Sequence, residues 1–329
     1  MTKLIKGLKI GHAQNIKART GLSVFLFDQA YLSVAQIDGS APATANFSSL
    51  DPSHGLNQAH AILFTGGSLF GLNSVSGVMD YLIKKNIGLK LNSITIPIVP
   101  ACAIFDLTVG ACDIFPDEQM AQEACLKASD NLPDTGMVGC GTGSSIGKFC
   151  GLDNSSHGGF GYSYVKYEKT GLEVWTFVVV NAMGDVINPQ NNRVIAGTKV
   201  SQNDPKLIDI RNVFNSDSHV VRQMNKASYT DIEKSMNSIA QNNSSSSIQN
   251  TTLILNVTNA SLDTSQAEKM AKACHHGLAS CVIPSHTTFD GDLAISTSVG
   301  DVLADINLLT YLASQTTIEA IINAVEPRS

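Results

Sequence analysis

The chain has 329 residues, 43% of them hydrophobic, 15% charged and 6% aromatic, enough for one large core or two packed lobes. Its formal net charge of −6, with no long basic run, argues against nucleic acid as a partner. The N-terminal MTKLIKGLKIGH has charges but no apolar h-region, and no apolar run reaches about 18 residues, so neither a secretory signal nor a membrane span is expected. Seven cysteines without a CxxC pair fit a reducing cytoplasm.

In chain order, residues 22–36 (LSVFLFDQAYLSVAQ) read as two strands, and AILF at 61–64 as a short apolar strand. TGGSLFG then makes a glycine turn into a helix whose Leu72, Val75, Val78, Met79 and Leu82 share one face. SITIPIVPACAIF (93–105) is β-prone and broken by Pro97 and Pro100. Residues 117–130 are helical in pattern, and 136–151 (GMVGCGTGSSIGKFCG) are glycine-rich. Strands follow at 160–167 and 173–181, with Gly171 between them. Residues 188–250 are rich in Asn, Ser and Asp and read as an extended, partly disordered connector with a helix within 218–240. A strand at 253–258, a helix from Ser265 to Ser280, a strand at 293–300 and a helix at 301–324 complete a layered α/β sandwich.

The most informative segment is a junction. Residues 241–250 read QNNSSSSIQN, nine of ten with amide or hydroxyl side chains, and run directly into the β-rich TTLILNVTNA. Cleavage between Asn250 and Thr251 would place a hydroxyl and a free α-amine on one residue, one way of activating a threonine nucleophile. Other polar residues have two readings each. The TGGS turn (Thr65, Gly66, Gly67, Ser68) is either a packing turn or a set of backbone N–H donors for an oxyanion or phosphate, although it fits neither a P-loop nor a dinucleotide fingerprint. Lys148 is a solvated charge or a cation placed against developing negative charge. Asn181 ends the apolar run VWTFVVVN, as a strand cap or an oxyanion donor. Asp290 and Asp292, at i and i+2, form Asx turns or orient an N-terminal threonine, with one pKa pushed up by like charge. Cys274-His275-His276 has no second ligand pair nearby in sequence, so these read as a buried thiol and surface imidazoles, and no metal site is expected.

Together these stretches resemble the DmpA-type self-processing aminopeptidases, a group that includes β-peptidyl aminopeptidases and the nylon-oligomer endohydrolase. HAILFTGGSLFGLNSVSGVMDYL, IPIVPACAIFDL, GTGSSIGKFCG, VVVNAMGDV, NTTLILNVTNA and HTTFDGDLAISTS occur in the family's order and span most of residues 1–300. The connector at 188–250 matches little. The resemblance implies a four-layer αββα fold shared with ornithine acetyltransferases. It also implies cleavage at Asn250-Thr251 into an α chain (1–250) and a β chain (251–329) that stay associated, within a homotetramer. By the same resemblance Thr251 is the nucleophile, Lys148 and Asn181 line the site, and Asp290 and Asp292 match the acidic pair of the nylon-oligomer hydrolase. Phe105 stands where some members carry a site tyrosine.

The expected activity is hydrolysis of a small peptide or amide through an acyl-enzyme ester, with no cofactor. Three alternatives are endo-cleavage of 6-aminohexanoate oligomers, acyl transfer of the ornithine acetyltransferase kind, and an unprocessed homologue without catalysis. The residues read here do not separate α-peptides, β-peptides, amino-acid amides and nylon oligomers, which present the same amide to the same nucleophile.

Overall fold

The computed structural model describes residues 2–201, 203–215 and 250–326. The helix expected within 218–240 and most of the polar tract before Thr251 lie outside them. Nine strands build one continuous sheet: β1 (Leu8–Asn15), β2 (Thr20–Ile37), β3 (Ala43–Ala45), β4 (Gln58–Thr65), β5 (Ala101–Ala103), β6 (Gly159–Lys166), β7 (Glu173–Asn181), β8 (Thr251–Ala260) and β9 (Leu293–Val302). Their order is β6-β7-β8-β9-β2-β4-β5-β3, with β1 also paired to β2. Helices α1 (Val75–Lys84) and α2 (Glu118–Lys127) belong to one half, and α3 (Thr264–Cys281) and α4 (Ile306–Val325) to the other.

Period-two alternation explains the layers, because neighbouring residues of a strand face opposite sides. Leu253, Leu255, Leu293, Ile295, Trp175 and Phe177 point to a central core, where they meet Phe25, Phe27 and Phe64 from the other half of the sheet. Phe25 lies 5.0 Å from Phe64 and 5.5 Å from Phe177, centroid to centroid, at tilted or edge-on angles that suit aromatic quadrupoles. The alternate residues Val178, Val180, Ile254 and Ala294 pack outward on Met270, Ala271 and Leu278 of α3 and on Leu312, Ala313 and Ile321 of α4. On the far side Leu22, Val24, Ala61 and Leu63 cover Val78 and Leu82 of α1 and Ala121 and Ala124 of α2. The result is a four-layer αββα sandwich.

Three expectations are revised. Residues 22–36 are one strand, not two: the first half of β2 pairs with β1 and the second with β9, while β4 pairs with both across a register shift between Leu26 and Tyr31. That shift bends the chain without a turn, and β2 passes from one half of the sheet to the other. The last helix begins at Ile306 rather than 301. The Asp305 side chain accepts from the Asn307 and Leu308 N–H groups and caps it, while residues 301 and 302 remain in β9. The described part of the segment after 188, up to residue 215, is also more ordered than a connector. Arg193–Ala196 pairs with Asp185–Asn188, Lys199–Ser201 pairs with Asp204–Leu207, and Ile210–Phe214 is helical. Asp185 organises this region, accepting from Thr198 N at 2.8 Å, Thr198 Oγ1 at 3.0 Å and Ile210 N at 3.2 Å. Among the described residues no helix is long and apolar enough to cross a membrane.

Candidate active site

The site lies where three strands begin or end together. β8 and β9 run parallel, with Leu253 opposite Leu293, so the head of β8 and the acidic loop before β9 share one edge. β7 runs antiparallel to β8 and ends there, with Asn181 opposite Thr251. Sequence-distant polar residues are thereby gathered by register alone.

Thr251 is 4% exposed. Its Oγ1 donates to the Asn250 carbonyl oxygen at 2.5 Å, and the same oxygen accepts the Gly291 N–H at 2.7 Å. Asn250 N in turn donates to Phe289 O at 3.1 Å, which pins the junction to the acidic loop. A Cβ on residue 291 would stand 2.8 Å from Thr251 Oγ1 and 2.6 Å from Ala41 O, so only glycine permits this approach.

Lys148 is 2% exposed, which rules out a solvated surface charge. Gly147, at φ +75°, turns the chain ahead of it. Its Nζ donates to Asn181 Oδ1 at 2.8 Å and to Asn181 O at 3.1 Å. Burial lowers the Lys148 pKa to about 7, against the opposing pull of Asp290, Asp106 and Asp292. An ammonium only donates, so the Asn181 atom facing it is the carbonyl oxygen. That oxygen also accepts from Ser145 N at 3.0 Å, and Asn181 Nδ2 donates to Phe105 O at 3.2 Å. Phe105 therefore touches the site residue Asn181 through its backbone.

The two aspartates are buried and held separately. Asp292 accepts from Thr252 N at 2.7 Å and His286 N at 2.9 Å. Burial, then the charge of Asp290, pushes its pKa up to about 7. Asp290 accepts from Thr287 N at 2.8 Å, Thr287 Oγ1 at 2.6 Å and Met183 N at 3.4 Å.

The TGGS turn takes its packing role. Gly66 N donates to Gly21 O at 2.8 Å, Gly67 N to Asp106 Oδ1 at 2.7 Å and Ser68 N to Ile104 O at 2.9 Å, while Thr65 Oγ1 bonds Gly66 O at 3.1 Å. These N–H groups are committed within the fold, so the oxyanion reading for Gly66, Gly67 and Ser68 does not hold in this structure. Sequence reasoning missed Asp106, a buried carboxyl whose pKa burial raises to about 6 and whose charge acts on Lys148. Its signal was a lone acid ending an apolar run, immediately after Phe105. It also missed Gly291 and Ser145, which act through backbone N–H groups that leave no trace in side-chain patterns.

The chain belongs to a known family. Residues 4–327 match peptidase family S58, and the chain is a member of it. It is a hydrolase acting on peptide or amide bonds. An uncharacterized aminopeptidase of Mycobacterium bovis is 27% identical over 306 residues, covering 91% of this chain and 81% of the relative. The 6-aminohexanoate-oligomer endohydrolase of Paenarthrobacter ureafaciens is 22% identical over 298 residues, covering 90% and 74%. Among solved structures, the L-aminopeptidase D-Ala-esterase/amidase of Ochrobactrum anthropi, described as a variant of the Ntn-hydrolase fold, superposes with a TM-score of 0.67 at 11% identity. The match covers 97% of this chain and 84% of that one. A Burkholderia β-aminopeptidase gives 0.65 at 16% identity, with the same coverage.

Proposed function

We propose that the chain cuts itself between Asn250 and Thr251 and that Thr251 then serves as an N-terminal nucleophile in an aminopeptidase. The observation that carries this reading is the placement of the Thr251 hydroxyl against the Asn250 carbonyl, which Gly291 N–H polarises, beside a buried lysine and two buried carboxyls. In the precursor, Thr251 Oγ1 attacks the Asn250 carbonyl carbon and the C–N bond breaks as nitrogen takes a proton. The resulting ester is hydrolysed by water, leaving Asn250 as a carboxylate and Thr251 with a free amine. In the cut enzyme that amine accepts the hydroxyl proton, and Oγ1 attacks the substrate carbonyl. The leaving amine departs protonated, and water releases the acyl group.

Gly291 N–H and the second Nδ2 hydrogen of Asn181, beside the one given to Phe105 O, are the oxyanion donors in this scheme. A single oxyanion donor is worth about 2.7–4 kcal/mol where one has been removed. Lys148 supplies positive charge and fixes the Asn181 amide. Asp292, joined to the Thr252 N–H, lies one peptide from the new amine and orients it, with Asp290 completing the acidic loop. Burial supports the cut: at 4% exposure the Thr251 hydroxyl is out of a substrate's reach in the uncut structure. The topology supports continued association of the fragments. β8 and β9 lie between β7 and β2, so the small fragment would be inlaid between strands of the large one.

Denaturing mass analysis tests the cut, which should give fragments of 250 and 79 residues. An active protein that remains one chain refutes the mechanism. A second reading, endo-cleavage of aminohexanoate oligomers, draws on the paired Asp290 and Asp292 and on the oligomer-endohydrolase relative. Aminoacyl p-nitroanilides with free and blocked amines, alongside nylon oligomers, separate the two, since an aminopeptidase needs the free amine. A glutamate acceptor would expose any acyl transfer. Light scattering tests the homotetramer.

A further inference from the structure

Behind the acidic loop, three side chains from distant parts of the chain converge. His275 lies buried on α3, His286 sits in the loop that carries Asp290 and Asp292, and Asp38 follows the end of β2. Their ligand atoms all fall within 4.8 Å of one another. His275 Nδ1 is 2.9 Å from His286 Nε2 and 3.8 Å from Asp38 Oδ2. The triplet Cys274-His275-His276 gave no local metal motif: Cys274 packs in the α3–α4 core and His276 faces solvent. His275 is buried, contrary to the surface imidazole read from sequence, and its partners come from residues 38 and 286.

We propose that Asp38, His275 and His286 form a binding site for a divalent transition-metal ion of the zinc class. His275 Nε2 faces the carbonyl oxygen of Gln36 at 3.1 Å, an acceptor only, so that nitrogen carries the hydrogen. Its Nδ1 lone pair is then directed at His286, the backbone-anchored arrangement that orients metal-binding imidazoles. Two nitrogens bound to one tetrahedral zinc stand roughly 3.3 Å apart, a few tenths beyond the observed separation. In the structure His286 Nε2–H donates to His275 Nδ1. Binding requires His286 to carry its hydrogen on Nδ1 instead, where Ser285 Oγ at 3.3 Å can accept it. His286 has φ +53°, a left-handed conformation in which histidine is enriched, and this turns its ring toward His275.

The donor set, two imidazoles and one carboxylate, favours zinc, cobalt, nickel or copper over magnesium and calcium, which want oxygen. It leaves a fourth position for water. The side chains of Asp38 and His286 are 47% and 21% exposed, which gives the ion a path from solvent. A bound ion would join the end of β2, α3 and the acidic loop. The proposal rests on these three side chains and does not depend on Thr251 being the nucleophile.

The test is calorimetric titration of zinc chloride into chelator-treated wild-type protein, with thermal unfolding recorded in parallel. One ion per chain and a zinc-dependent rise in Tm are expected. Asp38→Asn, at an exposed position, should weaken binding roughly tenfold or more. His286→Asn, which tolerates the left-handed backbone, should abolish both the binding and the Tm rise. The adjacent exposed His276→Gln should change neither. Wild-type protein that takes up no zinc, or zinc binding by Asp38→Asn or His286→Asn as tight as that of wild type, overturns the site.

Discussion

The two ends of β7 and β8 are built from the same strands and differ in every property that matters for chemistry. At one end, Asn181 and Thr251 meet Lys148, Asp290 and Asp292, all buried and bonded, with Asp106 nearby. At the other, roughly 26 Å away along β7, Glu173, Trp175, Tyr164 and Lys166 border a cavity of about 1150 Å³. That cavity is also lined by Lys3, Lys6, Lys9, Asp28 and Asp130. A search by cavity alone would be drawn to this second end. Buried titratable groups with displaced pKa values point to the first, because a fold pays to desolvate charge mainly where the charge is used. The site end is closed in this structure.

Substitutions at the two ends should separate them. Thr251→Ala should leave one full-length chain and lower turnover by at least roughly a thousandfold; normal activity in that variant would end the case for the site end. Lys148→Met should slow cleavage and turnover by roughly 10²–10³. It also carries a stability signature, best read against Thr251→Ala so that both proteins stay intact. The folded pKa of Lys148 is about 7 against an ordinary 10.5. Between those values the unfolded chain binds a proton that the folded chain does not, so this lysine makes stability rise with pH across that window. The advantage of methionine should therefore be greatest below pH 7 and shrink toward 10.5, as urea midpoints would show; an advantage that does not change with pH would mean that the lysine titrates normally.

Gly291→Ala should slow cleavage by roughly ten- to a hundredfold, because its Cβ displaces the Thr251 hydroxyl. Unchanged processing would show that the close approach is dispensable. Tyr164→Ala, at the cavity end, should have the smallest effect on rate. It loses the stack on Trp175, at 4.0 Å and 11°, worth about 0.5–1.5 kcal/mol beyond the area the ring buries, while kcat/KM stays within about twofold. A large loss of activity there would erase the distinction between the ends.

Much of this was legible in the sequence where pattern and chemistry coincide. The alternation in VWTFVVVN and TTLILNV marks β7 and β8, and the odd junction at 250–251 marks the candidate nucleophile. Lys148 and Asn181 could be named, but not their burial or their mutual bond, which depend on register between strands far apart in the chain. The length of β2 was hidden because Asp28 and Gln29 look like a turn. They are instead the exposed middle of a bent strand. The order in the described residues between 188 and 215 was hidden because polar groups there are satisfied by turns and by Asp185, a carboxyl whose pKa burial raises to about 6.

β2 has a mechanical consequence. Both halves of the sheet are threaded by this one covalent beam, so they cannot slide past each other without deforming its backbone near residues 27–31. Phe105, just after β5, and Asn181, the last residue of β7, meet through a hydrogen bond from opposite sides of that beam. Their alignment is thus secured against shear by the chain itself.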